Sequence, residues 1–199
     1  MPLSVDLLLP LLTSPWLLLI VLAACAIDGI FPPVPSETTV VAALAAGIAA
    51  GVDGTWAIAI VLAAAAGAVL GDSLAFWVGR RVGVDRFRWM RRPRARRMLG
   101  WIAERLRTSP ATLVLVGRYI PVGRVAVNGM AGASGLPFPR FLGLAAVAGS
   151  LWACMCLAIA SASAAWLGDP LWSAALGVVV MLALGLVVDL ISRRVARRA

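Results

Sequence analysis

The chain has no histidine and no lysine among its 199 residues. Without histidine there is no Ser-His-Asp triad and no histidine-ligated zinc site. Cysteine is scarce too. Cys25, Cys154 and Cys156 all fall in apolar runs, where they read as small buried hydrophobes. Cys154 and Cys156 are two apart, so on a helix they point in different directions. Neither a disulfide framework nor a thiol active site is in view, and no nucleophile–base pair or metal cluster suggests an enzyme. No cofactor is expected.

Apolar residues dominate what is present. They make up 62% of the chain, against about 45–50% in a soluble domain, and the mean hydropathy is +0.96. The length fits one domain, and lipid takes up apolar surface that a soluble core would have to bury. Residues 1–199 are expected to form a single all-α membrane domain.

Four segments are long enough to span a bilayer: about 7–27, 56–79, 138–166 and 170–192. The first lacks a basic region before it and reads as a retained helix, not a signal peptide. Two more apolar stretches are interrupted. The stretch 29–51 contains Pro32, Pro33 and Pro35, and 111–136 contains Pro121, Gly123 and Gly129. Proline disrupts the helix turn before it, and broken backbone at membrane depth must be buried in protein or line a cavity. Each stretch is expected to be a re-entrant hairpin. Hairpin plus span then occurs twice, over 29–79 and 111–166, the second copy inverted. Paired interrupted segments in two halves point to a transporter binding site.

Arginine sets the orientation. Eleven of the 18 lie between Arg80 and Arg107, four form the tail from Arg193 to Arg198, and Arg140 begins a span. The positive-inside rule places these in the cytoplasm, with both termini cytoplasmic. The basic stretch 80–107 also carries Trp89, Met98, Leu99, Trp101 and Ile102. It reads as an amphipathic segment lying on anionic lipid, not as a nucleic-acid site.

Only Arg118 and Arg124 lie inside apolar sequence. A guanidinium at bilayer depth costs roughly 2.5–3.5 kcal/mol on insertion scales, and arginine does not escape by losing its proton. Both need anionic partners. Three carboxylates are candidates: Asp28, Glu37 and Asp72. Ser36 is placed to cap the helix after the proline turn, with Glu37 in its first turn. Asp28 reads equally as a site residue or an outer-interface marker. Asp72 follows Gly67 and Gly71, a small-xxx-small face that permits close helix contact. Opposed hairpin tips would bring Glu37 near Arg118 and Arg124. A carboxylate that exchanges its arginine for a proton is a basis for proton coupling. The alternative is a permanent ion-pair clasp between hairpins.

At these residues the chain resembles the DedA family of bacterial inner-membrane proteins, which carry the SNARE-associated or VTT domain. The resemblance rests on Pro32-Pro33-Val34-Pro35-Ser36-Glu37, Gly67 to Asp72, Phe76-Trp77-Val78-Gly79-Arg80, and Gly117-Arg118-Tyr119-Ile120-Pro121-Val122-Gly123-Arg124. Ala131-Gly132, Phe138, Phe141, Gly149 and Trp152 follow in order. Asp28 stands where the family often has glutamate, and Phe76-Trp77 where it often has tyrosine. The resemblance implies opposed re-entrant hairpins, and functional roles for the acids and both arginines. It also implies flipping of anionic lipids such as undecaprenyl phosphate, often linked to proton-motive force. On this reading Arg118 and Arg124 bind the headgroup, while Glu37, Asp72 and Asp28 act as counter-ions or proton carriers. The alternative is a proton-coupled exporter of cations or small amphiphiles that uses the same acids.

Overall fold

The computed structural model describes residues 5–31, 34–83, 93–118 and 121–198. Pro32, Pro33, Tyr119, Ile120 and the stretch 84–92 lie outside the described residues. Among the described residues the regular structure is helical, without strands. The helices are α1 (Val5–Leu12), α2 (Pro15–Asp28), α3 (Ser36–Ala49), α4 (Gly54–Val82), α5 (Pro93–Thr108), α6 (Pro110–Gly117), α7 (Pro121–Ala133), α8 (Phe138–Leu167) and α9 (Pro170–Arg198).

Three helices are long and apolar enough to cross a membrane: α4, α8 and the Pro170–Val187 part of α9. Their side chains are arranged the opposite way from a soluble bundle. α4 buries Ala64, Gly67, Ala68, Gly71 and Ala75 at three- and four-residue spacing, while Ile58, Leu62, Leu70 and Leu74 stay exposed. Small residues inside let helices approach closely, and large apolar residues outside suit lipid.

The first expected span, 7–27, is not one helix. α1 stops at Leu12 and α2 starts at Pro15. The Ser14 hydroxyl accepts the Trp16 N–H at 3.3 Å, and Pro15 occupies the first helical position, where its missing N–H costs nothing. At 14 residues, α2 is about 21 Å long, short of the ~30 Å hydrocarbon layer. It pairs instead with α3 across a break at 29–35. The first interrupted unit therefore covers 15–49, not 29–51 alone.

Contacts along α4 fix the directions of its neighbours. The Trp56 indole N–H donates to the Leu12 carbonyl. Gly67 abuts the Leu22 carbonyl and Gly71 the Ala26 carbonyl. The register rises on both helices, so α2 runs parallel to the first half of α4. Further along, Asn128 meets Asp72 and Gly132 abuts the Phe76 carbonyl, so α7 runs parallel to the second half. The end of α2 thus meets the start of α7 beside the middle of α4. α8 runs antiparallel, with Phe141 stacked on Phe76 at 4.6 Å and Gly149 near Ala65 and Ala68. Gly177 of α9 packs on Val41 and Ala45 of α3.

This packing corrects the expected path of the N-terminal segment. The start of α2 lies at the Gly54 end of α4, away from Arg80 and Arg81. The eight residues of α1 are about 12 Å long. The expected span 7–27 is thus two helices, broken at Ser14.

Two apolar clusters fill the bundle. One joins Val21, Val40, Leu44, Ile60 and Trp152, and the other joins Phe76, Leu99, Ile102, Val127 and Phe141. Asp72 falls between Ala68 of the first and Phe76 of the second. The second cluster also refines the reading of the basic segment, because Leu99, Ile102 and Leu106 of α5 are buried in protein, not laid on lipid. Cys25 and Cys156 are buried as expected, but Cys154 is exposed on the outward face of α8.

Candidate functional site

Charged side chains converge where the two broken helix pairs meet beside α4. Arg118, just past α6, donates from Nη1 to Asp72 Oδ2 at 2.7 Å. Asn128 of α7 donates from Nδ2 to the other oxygen, Asp72 Oδ1, at 2.8 Å. Arg124, in the first turn of α7, donates from Nη2 to Asp28 Oδ1 at 2.6 Å. The same nitrogen reaches the Asp28 carbonyl at 2.6 Å. The Ser36 hydroxyl donates to Asp28 Oδ2. Each carboxylate therefore takes one guanidinium and one neutral donor, and all six side chains are buried.

The arrangement follows from local sequence. Asp28 ends α2 and Ser36 begins α3, and their side chains meet in a hydrogen bond. Gly67 and Gly71 let α2 lie against α4 at backbone contact, which carries Asp28 to the level of Asp72. Gly79 and Gly132 do the same for α7, where they meet the Gly129 and Phe76 carbonyls. Arg124 and Asn128 are four apart and share one face of α7. Arg118 also lies over the Trp152 ring, with Cζ 5.0 Å from its centroid, within cation–π range.

Neither guanidinium is saturated. Nε of Arg118 and Nε of Arg124 are both buried, without hydrogen-bond partners among the described residues. A buried, unpaired N–H costs about 1–3 kcal/mol. Each arginine has thus exchanged part of its hydration for an incomplete set of bonds, which leaves donor capacity for an acceptor.

The sequence expectation placed Glu37 near both arginines. Arg118 is instead paired with Asp72, and Arg124 with Asp28. Glu37, in the first turn of α3, is half-buried and within electrostatic reach of Arg124 and Arg118, as expected, but forms a direct ion pair with neither. It follows Ser36, so its side chain leaves the helix about 100° further round. Ser36 does not cap α3. The N-cap is Pro35, and no side chain caps it, because the Ser36 hydroxyl is given to Asp28. Asp28 is buried and paired with Arg124. Sequence reasoning did not single out Asn128 as a site residue, although a lone amide one helical turn beyond Arg124 was a visible signal.

A helical membrane protein with a buried two-arginine, two-aspartate centre is the class that fold and site define. A family model for the VTT domain matches residues 33–162, and the chain belongs to this family, the DedA family. The matched region holds Ser36, Glu37, Asp72, Arg118, Arg124, Asn128 and Trp152. Asp28 lies just before it. The chain is similar to the uncharacterized membrane protein slr0232 of Synechocystis sp., at 32% identity over 135 residues, 64% of this chain and 58% of that protein. It is also similar to the uncharacterized membrane protein Rv2637 of Mycobacterium tuberculosis, at 38% identity over 96 residues, 46% of this chain and 44% of that protein. The chain thus spans about half the length of the curated relatives it matches. No solved structure matches it significantly.

Proposed function

We propose that this chain moves an anionic lipid, a polyprenyl phosphate or phospholipid, across the membrane, with Arg118 and Arg124 as headgroup ligands. The observation that carries this reading is the pair of buried Nε atoms, one on each guanidinium, without hydrogen-bond partners among the described residues. Guanidinium presents a planar fork matched to phosphate oxygens. An arriving phosphate competes with Asp72 and Asp28 for the same donors. A carboxylate that loses its arginine in a buried site favours its protonated form, so headgroup entry and proton uptake are linked. The broken helix pairs then act as opposed re-entrant hairpins in an inverted repeat, with the lipid tail remaining in the bilayer. The protein acts as a transporter, not an enzyme, in a bacterial inner membrane.

The test is flipping of a labelled polyprenyl phosphate in proteoliposomes, with and without a proton gradient. Glu37, a half-buried carboxylate near both arginines but in direct contact with neither, favours a role for protons. Glu37→Gln should lower gradient-driven flipping several-fold yet leave elution monodisperse, because the amide cannot exchange a proton. Gradient-driven efflux of a cationic amphiphile without lipid flipping would favour the exporter reading instead.

Orientation is a linked prediction. The arginine-rich end of α4 and α5 is assigned to the cytoplasm, so the α1–α2 junction lies on the opposite face. Cysteine introduced at exposed Thr13 should react with an impermeant reagent in intact cells, while cysteine at Arg97 should react only after permeabilisation. Protection of both sites would restore a cytoplasmic start.

A further inference from the structure

We infer that the outward face of α5 is a docking surface for anionic lipid headgroups, separate from the buried arginine centre. α5 has five arginines and one glutamate, and Glu104 is already engaged with Arg107 at 3.8 Å. Its apolar residues divide between two faces. Leu99, Ile102 and Leu106 are spent in the protein core. Trp101 and Met98 remain 55% and 46% exposed. The core contacts therefore do not account for them.

Arg97, Trp101 and Arg105 stand four residues apart and form one row along the helix. Arg105 lies over the Trp101 ring, its Cζ 5.6 Å from the centroid. The same pairing recurs on α4, at the same end of the bundle, where Arg80 Cζ lies 5.5 Å from the centroid of the half-exposed Trp77. A large aromatic beside a cation suits a boundary where one side is acyl chain and the other is phosphate. α5 packs on α6 and α7, and its buried residues join the cluster that holds Phe76 of α4, near the Arg80 end of that helix. The charge is complementary to an anionic leaflet, and clustered arginines next to a membrane attract such lipids. RNA would satisfy the arginines but gives no reason for Trp101 and Met98 to share their face.

The test uses the full chain in vesicles that mix phosphatidylcholine and phosphatidylglycerol, with one of the two brominated at equal mole fraction. The fluorescence lost on Trp101→Phe isolates the Trp101 signal. Brominated phosphatidylglycerol should quench that signal at least about twofold more than brominated phosphatidylcholine. The preference should vanish at about 1 M salt, where the screening length falls to about 3 Å. A variant with Arg97, Arg105 and Arg107 all changed to Gln should keep the quenching and lose the preference. Equal quenching by the two lipids, no quenching, or quenching relieved by added RNA would each overturn the proposal. If the triple variant misfolds, the salt dependence of the unaltered protein still decides.

Discussion

Lysine in place of Arg118 or Arg124 should lower polyprenyl-phosphate flipping about 10- to 100-fold while the protein still folds. Each lysine keeps the positive charge that neutralises Asp72 or Asp28, so the buried carboxylates are not stranded. What is lost is the fork, including the Nε donor that on each guanidinium has no partner among the described residues. A hydrogen bond to a charged group is worth about 1.5–3 kcal/mol, and tenfold in rate corresponds to about 1.4 kcal/mol. Alanine is the less informative change. Arg118→Ala would leave Asp72 buried without its cation and destabilise the fold by about 3–5 kcal/mol, confusing a binding role with a structural one. Normal flipping by both lysine variants, with monodisperse elution, would show that charge pairing alone suffices.

The second large effect concerns the α4–α7 contact. Gly132→Val should abolish both flipping and recovery of folded protein. Even a Cβ at Gly132 would overlap the Phe76 carbonyl and crowd the Arg80 amide. These are backbone atoms, so relief requires the helices to separate, and overpacking of this kind costs about 1–3 kcal/mol or more. Separation also pulls Asn128 off Asp72 and shifts Arg124 from Asp28, since both ride on α7. Gly143→Ala is the matched control. Gly143 lies within α8 with open space where a Cβ would go, so alanine there should be neutral or stabilising by up to about 1 kcal/mol. The yield of monodisperse protein in detergent compares them directly, with thermal unfolding of whatever folded protein is recovered. A Gly132→Val protein as stable as the Gly143→Ala protein would mean that the close contact is dispensable.

The long helices were legible because their limits are chemically abrupt. Arg80 and Arg81 end the apolar run of α4, and Asp169-Pro170 separates α8 from α9. The expected 56–79, 138–166 and 170–192 compare with 54–82, 138–167 and 170–198. The first span failed for a local reason. Thr13-Ser14-Pro15 is a helix-start signal, but hydropathy averaged over 20 residues hides one polar turn. The site divides in the same way. Arg118, Arg124, Asp28 and Asp72 announce themselves because charge is costly in apolar sequence. Their pairing does not, because it depends on the register of α2 and α7 along α4, which is set by glycine contacts. Those contacts put Asp72 and Asp28, not Glu37, against the arginines. Asn128 escaped, and Ser36 was read as a helix cap instead of a donor to Asp28, because a neutral donor raises no alarm until a carboxylate is found beside it.

The central claim is that the buried arginines bind a lipid oxyanion. Its most direct test is thermal stabilisation of the detergent-solubilised full chain by undecaprenyl phosphate, measured against the uncharged alcohol undecaprenol. The two ligands share the same tail, so any difference reports the phosphate. The phosphate should raise the unfolding temperature in a saturable way, the alcohol should not, and Arg118→Lys with Arg124→Lys should remove the difference. Equal stabilisation by both ligands, or a phosphate effect that survives both lysines, would contradict the account and leave the centre as a clasp between the helix pairs.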